Sequence, residues 1–466
     1  MTMFYPVIGL EIHAELNTAS KMFCACKNDP DETRPNTNIC PVCMAHPGTL
    51  PTANKQAIAN VIKVGLALGS TIADFSEFDR KNYFYPDIPK GYQISQYKYP
   101  IVSGGALNGF AITRIHLEED TGLSKHDRGD FTLVDYNRAG VPLMELVTEP
   151  VIHSARDAAD FARELQLLLR TLGVSEANLE KGEMRVEPNI SISDDPNTFG
   201  TKVEVKNLNS FKSVEKAIEY ELARMQALYE AGRQDEIVQE TRGWDENKQT
   251  TFSQRSKENA NDYRYFPDPD LPKMQLHSAF DIETMRKELP ELPREKRERY
   301  VQEFGLNKEE AELFTTNKSL ADFFEKMIAV LGSDKKHAKL AANYLTNDLK
   351  NSFEMVSVPL SAEVVTMVAN NEITSRAAKD IFTAVIGGES VSSAKEYAKT
   401  NGMLQQNNAD DLRPIIQAVI DANPQIVADY KAGKEAAIQG LVGRVIKETK
   451  GSANPALTLQ LLREMV

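Results

Sequence analysis

The sequence predicts an α+β protein in which a strand-rich N-terminal part precedes a helical C-terminal part. In the N-terminal part, several segments alternate apolar and polar residues, which is the period of a β-strand with one buried face. After residues 290–293, which contain two prolines, apolar residues recur instead at helical spacing and strand signals almost disappear. Strands followed by helices in this order are typical of α+β chains or of separate domains.

Length and composition restrict the class of protein. At 466 residues the chain has room for about two to four domains, and its 41% hydrophobic and 26% charged residues are ordinary for a globular protein. No apolar run is long enough for a membrane span and the N-terminus lacks a signal-peptide pattern, so we expect a cytoplasmic protein without membrane association. The net charge of −13 argues against a uniformly basic surface for nucleic acid, although not against a local one.

The first predicted strand, residues 7–16, indicates the chemistry of the N-terminal part. Its apolar side chains can meet a core, whereas Glu11, His13 and Glu15 share the opposite face. For this strand alone, a solvated face is the simpler interpretation, because antiparallel sheets commonly have one wet face. A functional interpretation requires matching groups on other strands.

Residues 24–43 predict a structural zinc site. Cys24 and Cys26 are separated from Cys40 and Cys43 by a loop of thirteen residues. Two close cysteine pairs joined by a short loop can deliver four thiolates to one tetrahedral ion, which leaves no open position for catalysis. Buried free thiols are the alternative.

A loop rich in aromatic and cationic residues follows a helix that we predict over residues 52–69. Arg80, Lys81, Tyr83 and Tyr85 lie between turn-forming prolines and glycines in residues 79–92. Such a loop suits a phosphate together with a flat ring. A loop packed by its own aromatic residues is an equally good interpretation.

Three further strands carry groups that match the first one, and predicted helices over residues 154–172 and 213–229 pack beside them. The strands are residues 114–120 with Arg114, His116 and Glu118; residues 184–192 with Arg185, Glu187 and Asn189; and residues 201–207 with Lys202, Glu204 and Lys206. Glu11, Glu118, Glu187 and Glu204 could together hold hard divalent cations, which take oxygen ligands. The arginines and lysines could then clamp a polyphosphate, as phosphoryl transfer requires. Scattered surface ion pairs would give the same pattern.

Blocks along the whole chain, in order, closely resemble the B-subunit family (GatB) of the tRNA-dependent amidotransferases. The blocks are residues 7–13, 78–87, 134–143, 204–210, 262–267, 440–444 and 450–455. The resemblance implies three parts: a catalytic cradle over 1–292, with a glutamine-synthetase-like antiparallel β fold and a zinc-binding insertion near 24–43; a helical domain over 293–405; and a small helical tail over 406–466 similar to YqeY proteins.

The resemblance also implies an activity and partners. ATP and Mg²⁺ would be used to phosphorylate the side-chain carboxylate of Glu or Asp mischarged on tRNA(Gln) or tRNA(Asn), and ammonia would then form Gln-tRNA(Gln) or Asn-tRNA(Asn). An amidase-type A subunit would release that ammonia from glutamine, and a small C subunit would complete a heterotrimer. This fits the polar strands, because a carboxylate becomes a good electrophile only once phosphorylation supplies a leaving group.

Site residues follow from the same resemblance. The implied Mg²⁺ ligands are Glu11, His13, Glu118, Glu119 and Glu187, and Glu204 joins them as a catalytic residue. The predicted cofactor-binding residues, which come from the aromatic loop and the polar segments, are Arg80, Lys81, Tyr83, Tyr85, Arg114, Arg138, Arg185, Lys202 and Lys206. Arg444, Lys447 and Lys450 lie at helical spacing in the tail and would contact tRNA; a solvated basic face is the alternative.

Two other functions fit parts of the sequence. A non-catalytic, zinc-containing tRNA-binding scaffold explains the cysteines and the tail but leaves the carboxylate-bearing strands without a role. A carboxylate–amine ligase acting on a free amino acid explains the strands but not the tail.

Overall fold

The computed structural model describes residues 3–29, 31–125, 129–256, 263–332, 334–405, 408–449 and 451–466. The chain divides into two compact units, Met1–Leu292 and Pro293–Val466, which we call the N-terminal and C-terminal units. In the described part of the chain, no helix is both long enough and apolar enough to cross a bilayer.

The N-terminal unit contains all the named strands of the described residues. They are β1 Tyr5–Glu15, β2 Thr71–Ile72, β3 Phe75–Ser76, β4 Asp79–Asn82, β5 Tyr92–Ser95, β6 Val102–Ser103, β7 Ala106–Leu107, β8 Phe110–Glu119, β9 Leu123–Lys125, β10 Leu133–Asp135, β11 Pro142–Thr148, β12 Met184–Ser193, β13 Val203–Lys206, β14 Glu240–Asp245, β15 Thr250–Ser256, β16 Phe266–Pro267 and β17 Met274–Gln275. Its helices are α1 Lys55–Ala67, α2 Ala155–Thr171, α3 Phe211–Glu230, α4 Leu276–Ala279 and α5 Ile282–Lys287.

One large sheet organises the N-terminal unit. Its strand order within the described residues is β15-β14-β13-β12-β1-β11-β8-β6-β2, with β7 paired to β8. Neighbouring strands are antiparallel except β13 and β14, which are parallel, so the sheet is mixed at that one pair. The order brings together strands that are far apart in sequence, because β1 lies between β11 and β12.

The apolar face of β1 lies in the core and its polar face does not. Ile8, Leu10 and Ile12 are at most 1% exposed, and the α2 residues Phe161 and Leu165 are fully buried in the same hydrophobic cluster. Burying one such side chain stabilises the fold by roughly 1.5–3 kcal/mol. The core therefore fixes which face of β1 bears the polar groups, since a register slip of one residue would exchange the two faces.

Helix ends follow local sequence signals. The Ser154 hydroxyl oxygen accepts a hydrogen bond from the Asp157 N–H at the start of α2, and Ser210 caps α3 in the same way. After α2 the chain reverses at Gly173, whose φ of +68° is accessible to glycine at no steric cost.

The described residues of the C-terminal unit form helices. They are α6 Pro293–Phe304, α7 Lys308–Thr316, α8 Lys318–Leu331, α9 Lys335–Asn343, α10 Val358–Ala369, α11 Ser375–Ile386, α12 Ala394–Thr400, α13 Ala409–Asp421, α14 Pro424–Lys431, α15 Ala437–Glu448 and α16 Pro455–Met465. One hydrophobic cluster spans α6 to α12 and another spans α13 to α16. The division of this unit into domains at 405/406 stays a prediction.

Candidate active site

Three carboxylates from neighbouring strands converge on the polar face of the sheet. Glu11 on β1 stands opposite Glu187 on β12, and Glu204 lies on β13, the next strand. One carboxylate oxygen of each lies within 4.8 Å of the other two. We call these residues the acidic triad. Lys206 Nζ lies 2.7 Å from Glu187 Oε2 and 3.9 Å from Glu204 Oε1, and the Asn189 side-chain amide donates to Glu11 Oε1 at 2.9 Å.

A second cluster lies beside the triad and contains His13, His116, Glu118 and Glu145, which we call the histidine cluster. Strand β11 runs between β1 and β8, so Glu145 pairs with His13 on one side and with His116 on the other. Glu145 Oε2 lies 3.2 Å from His13 Nε2 and 3.3 Å from His116 Nε2. Glu118 Oε1 lies 3.7 Å from His13 Nε2, and its Oε2 accepts a hydrogen bond from the Ser95 hydroxyl at 3.0 Å.

Electrostatic interactions couple the groups of the histidine cluster. Burial opposes charge on His13, but Glu145, with smaller contributions from Glu187 and Glu118, raises the pKa of His13 to about 9. Burial likewise opposes charge on Glu145, yet the imidazoles of His116 and His13 hold the pKa of Glu145 well below its usual range. Without a bound cation, a protonated imidazole therefore faces an ionised carboxylate at neutral pH, and the influence of Glu187 shows that the two clusters are neighbours.

Both clusters fit a divalent cation, with different donor sets. The acidic triad offers carboxylate oxygens, the ligands that Mg²⁺ prefers. The histidine cluster adds imidazole nitrogen, and the Nδ1 atoms of His13 and His116 are buried without a hydrogen-bond partner among the described residues. Carboxylate oxygens suit Mn²⁺ as well as Mg²⁺, and imidazole nitrogen is a ligand for transition-metal ions. Holding several carboxylates this close is unfavourable unless positive charge compensates them.

Lys81 supplies a fixed positive charge beside the histidine cluster. Its ammonium lies 4.8 Å from the ring centroid of Tyr263 and 5.6 Å from that of Tyr83. Burial opposes the charge, but Glu118, the nearby tyrosines and Glu145 raise the pKa of Lys81 above its usual value. The side chain is therefore charged throughout the physiological range.

The remaining predicted cations of the polar strands differ in position. Arg114 lies on β8, two residues before His116 and on the same face, and its buried Nε has no hydrogen-bond partner among the described residues. Lys202 is exposed and precedes β13 instead of belonging to it.

Arg80 holds two segments of the N-terminal unit together. Its Nε lies 2.8 Å from Asp268 Oδ2 and its Nη2 lies 2.9 Å from Asp270 Oδ2. The guanidinium also stacks on Tyr92, 4.3 Å from the ring centroid. These contacts connect β4 to the segment around β16; contact of Arg80 with a nucleotide stays a prediction.

Arg138 and Arg185 surround Asp120, which follows β8. Arg185 donates from Nη1 and Nη2 to the two Asp120 oxygens at 3.1 Å each, and Arg138 Nε lies 3.6 Å from Asp120 Oδ2. Despite burial, these guanidiniums hold the pKa of Asp120 well below its usual range. Burial and the nearby Asp120 raise the pKa of Glu15 to about 8. We call these four residues the arginine–carboxylate cluster; contact of either arginine with a nucleotide stays a prediction.

Glu119 lies apart from the acidic triad and the histidine cluster, which together we call the two metal-type clusters. Adjacent strand residues face opposite sides of a sheet, so Glu119 faces away from Glu118. Lys90 Nζ donates to Glu119 Oε2 at 2.5 Å, and the Ile94 N–H donates to Oε1 at 2.9 Å. The structure therefore brings Glu118, and not Glu119, beside His13.

The two tyrosines proposed for a flat ligand pack against each other. Tyr83 donates its hydroxyl hydrogen to Gln93 Oε1 at 3.2 Å, and its ring centroid lies 5.9 Å from that of Tyr85. Tyr85 is 46% exposed. The contacts agree with a loop packed by its own aromatic residues, and binding of a ligand by either tyrosine stays a prediction.

The four cysteines converge as the zinc interpretation requires, and we call them the cysteine cluster. The four sulfur atoms all lie within 4.8 Å of one another, and those of Cys40 and Cys43 are 3.9 Å apart. The cysteines are Cys24, Cys26, Cys40 and Cys43. Tetrahedral zinc with Zn–S bonds of about 2.3 Å places its sulfurs about 3.8 Å apart. Cys24, the Cys40 N–H and Lys21 lower the pKa of Cys43 to about 5, against the effect of burial. The donor set therefore fits zinc.

Comparison with known proteins assigns both halves of the chain to one family. Residues 6–281 match the GatB/GatE catalytic domain, and residues 322–466 match a GatB domain of the YqeY type. The second match crosses the predicted boundary at 405/406. The catalytic-domain match alone covers more than half of the chain.

The chain belongs to the GatB family.

Relatives match along almost the entire chain. The B subunit of the aspartyl/glutamyl-tRNA(Asn/Gln) amidotransferase from Crocosphaera subtropica is 42% identical, over 100% of this chain and 98% of its own length. The proteins of the same name from Thermoanaerobacter pseudethanolicus and Thermotoga neapolitana are 44% and 42% identical, over at least 98% of both chains in each case.

In the GatB tail, the described tRNA-contact candidates lie on one helix. Arg444 and Lys447 are exposed on α15. Lys450 lies outside the described residues. Three residues apart on a helix, Arg444 and Lys447 share a face.

Sequence reasoning did not assign ligand roles to Glu145 and His116, although they complete the histidine cluster in this GatB chain. The sequence pattern places His116 on the polar face of its strand, but it gives Glu145 no such polar face. One feature of the sequence could have identified Glu145 as a site residue. It is the lone carboxylate in the largely apolar strand Pro142–Thr148, because a buried charge requires a partner.

Proposed function

We propose that this chain activates the side-chain carboxylate of Glu or Asp esterified to tRNA(Gln) or tRNA(Asn), using ATP and Mg²⁺, for amidation by ammonia. The products are Gln-tRNA(Gln) or Asn-tRNA(Asn), so the reaction is an amidotransferase-type ligation in protein biosynthesis. The name that the relatives share supports the substrates. The observation that carries the chemistry is the adjacency of the acidic triad and the histidine cluster on one sheet face, given by the registers of β8, β11, β1, β12 and β13.

The reaction needs two displacements. A side-chain carboxylate oxygen attacks the γ-phosphorus of ATP, the bond to the β-phosphate oxygen breaks, and ADP leaves. Ammonia nitrogen then attacks the acyl carbon, and the C–O bond breaks with its electrons going to phosphate. The nitrogen loses a proton to give the amide. Phosphorylation is required because the unactivated carboxylate has no adequate leaving group.

The residues of the two clusters have distinct roles in this proposal. Glu11, Glu187 and Glu204 hold one divalent cation, and His13, Glu118 and Glu145 hold a second. When bound, Mg²⁺ supplies neutralising charge and orientation for phosphate oxygens. Lys81 and Lys206 add permanent positive charge at the edges of the clusters, where it stabilises charge that moves during phosphoryl transfer.

We further propose the subunits and parts that the family resemblance implies. These are a glutamine-synthetase-like cradle over 1–292, a helical domain over 293–405 and a tRNA-binding YqeY-like tail over 406–466. The cysteine cluster holds structural zinc. An amidase-type A subunit supplies ammonia from glutamine, and a small C subunit completes a cytoplasmic heterotrimer.

Glu11→Gln tests the activation step. The change keeps an oxygen that can accept the Asn189 hydrogen bond but removes a ligand charge, so we expect at least about 100-fold loss of tRNA-stimulated ATP cleavage, with tRNA binding retained. Loss of one charge from the triad relieves repulsion, so the unfolding free energy should not fall. Glu219→Gln, an exposed change on α3, is the matched control. Normal turnover of Glu11→Gln contradicts the site assignment.

The same ATP assay separates the proposal from its alternatives. The proposal requires stimulation by Glu-tRNA(Gln) or Asp-tRNA(Asn) and none by free amino acids. Equal stimulation by free Glu would identify a carboxylate–amine ligase. tRNA binding without any ATP cleavage in the assembled complex would identify a scaffold.

A further inference from the structure

An aromatic cleft of about 580 Å³ lies in the N-terminal unit, outside the two metal-type clusters. It is lined by residues that include Tyr97, Tyr265, Phe266, Glu77, Lys98 and Lys273, and we call it the aromatic cleft. Its volume falls in the range of small-molecule sites, roughly 300–1,000 Å³. Neither the sequence motifs nor the proposed chemistry gives it a role.

The aromatic cleft presents flat rings with open surface. Tyr97 and Tyr265 stack with centroids 4.5 Å apart and an interplanar angle of 14°. Tyr97 is nevertheless 50% exposed and Phe266 is 44% exposed. Exposed aromatic side chains grouped in a concave site are typical of surfaces that receive a partner ring, and unpaired bases stack on such rings.

One oxygen of a buried carboxylate in the cleft lacks a hydrogen-bond donor among the described residues. Glu77 is only 6% exposed, and its Oε2 has no hydrogen-bond partner among the described residues. The Lys273 ammonium lies 3.7 Å from that oxygen, which is beyond hydrogen-bond distance. A buried carboxylate oxygen is costly to leave without a donor. The exocyclic amino group of adenine or cytosine supplies one, as carboxylates accept from cytosine N4 in base recognition.

Cations at the cleft match a nucleic acid backbone. Lys98 and Lys273 are exposed, and their ammonium groups lie 5.1 Å from the Tyr99 ring and 5.7 Å from the Phe75 ring. In a chain of net charge −13, this is a local basic feature of the kind that contacts single phosphodiester groups.

The cleft adjoins the histidine cluster. Tyr265 lines the cleft, and Glu118 and Glu145 act electrostatically on its hydroxyl, raising its pKa together with burial. A ribose held at the cleft therefore lies near the groups proposed to activate the carboxylate.

We propose that the aromatic cleft binds the unpaired 3′-terminal adenosine of the aminoacyl-tRNA, with the base against Tyr97, its amino group at Glu77 and backbone phosphates near Lys98 and Lys273. This deepens the proposed function and rests on it. A terminal nucleotide fits better than ATP, because the cationic Lys81 and Lys206 at the metal-type clusters are the groups suited to a triphosphate.

The test measures tRNA binding and turnover in the assembled complex for the variants Tyr97→Leu and Tyr97→Phe. The control is Phe252→Leu, which removes a similarly exposed ring from β15 at the far edge of the sheet. We expect Tyr97→Leu to weaken tRNA binding roughly ten-fold, the scale of one lost base–aromatic stack, and to raise the KM for aminoacyl-tRNA. Tyr97→Phe and Phe252→Leu should retain wild-type values, and the KM for ATP should not change.

A truncated RNA makes the assignment specific. For the wild type, uncharged tRNA lacking its terminal adenosine should bind about ten-fold more weakly than intact tRNA. For Tyr97→Leu, the truncated and the intact tRNA should bind equally well. This result is expected because the Tyr97 ring and the terminal base form one interaction, which either change removes. Additive losses overturn the proposal. So does a raised KM for ATP with unchanged tRNA binding, which would assign the cleft to the nucleotide. Absence of amidation by the wild type instead refutes the proposed function.

Discussion

At the scale of single residues, Glu15 is a carboxyl whose charge state differs from expectation. Burial and the neighbouring Asp120, to which it hydrogen-bonds, raise its pKa from an ordinary 4.5 to about 8. Between these values the folded state holds a proton that the unfolded state has lost. The contribution of Glu15 to stability is therefore complete below about pH 4.5 and is lost as the pH rises through about 8.

Glu15→Gln should remove this loss of stability at high pH, because the side-chain amide of glutamine donates a hydrogen bond to Asp120 at every pH. We expect the unfolding free energy of the variant to exceed that of the wild type at about pH 9 by at least about 1.4 kcal/mol, the equivalent of one pKa unit. At about pH 4 the two should be nearly equal. Urea unfolding across this range in magnesium-free buffer measures the difference. Glu180→Gln, an exposed change, is the control; a parallel pH dependence of wild type and Glu15→Gln would contradict the assigned charge state.

At the scale of elements, sequence periodicity located the strands that bear the polar groups. Residues 7–16, 114–120 and 184–192 fall on β1, β8 and β12, because alternation is a local property that one buried face enforces. Local alternation also separates Glu118 from Glu119, which resemblance alone grouped together.

The contribution of β11 depends on strand order, which is not local. Its sequence from Pro142 to Thr148 is apolar apart from Glu145 and Thr148, so it resembles a central core strand. Only the pairing of β11 with β1 and β8 brings Glu145 between His13 and His116. Likewise, the sequence does not reveal that Arg185 forms an ion pair with Asp120, or that Arg80 forms one with Asp268.

At the same scale, the prediction for the cysteine cluster concerns its zinc content and the order of the loop that carries it. If it holds zinc, the purified chain contains about one zinc per chain, and Cys43→Ser lowers that content because it removes one of four ligands. The loop over 24–43 should then become protease-sensitive, while the sheet core, which packs independently, stays folded. Metal analysis and limited proteolysis measure both effects, with Thr49→Ser as a control for a polar change beside the cluster. Four freely titratable thiols and no zinc in the wild-type chain would refute the zinc assignment.

At the scale of the whole molecule, the two units carry different kinds of surface. The N-terminal unit concentrates its ligand-type groups on one sheet face, where distant strands meet. In the C-terminal unit, α15 exposes the basic residues Arg444 and Lys447. The proposed substrate, an aminoacyl-tRNA, would offer a reactive end to the first surface and phosphates to the second.

The tail prediction concerns Arg444 and Lys447, which are exposed on α15. If they contact phosphates of tRNA by shape, Arg444→Gln with Lys447→Gln should weaken tRNA binding several-fold. The slope of log affinity against log salt should fall by roughly one to two, since each phosphate contact contributes about 0.7–0.9. Activation at saturating tRNA should persist, because the change leaves both metal-type clusters intact. Lys335→Gln with Lys339→Gln, exposed on α9 of the same unit, removes the same charge and is the control. Equal salt slopes for both double variants would identify the α15 residues as an ordinary solvated face and would leave recognition of the RNA to the N-terminal unit.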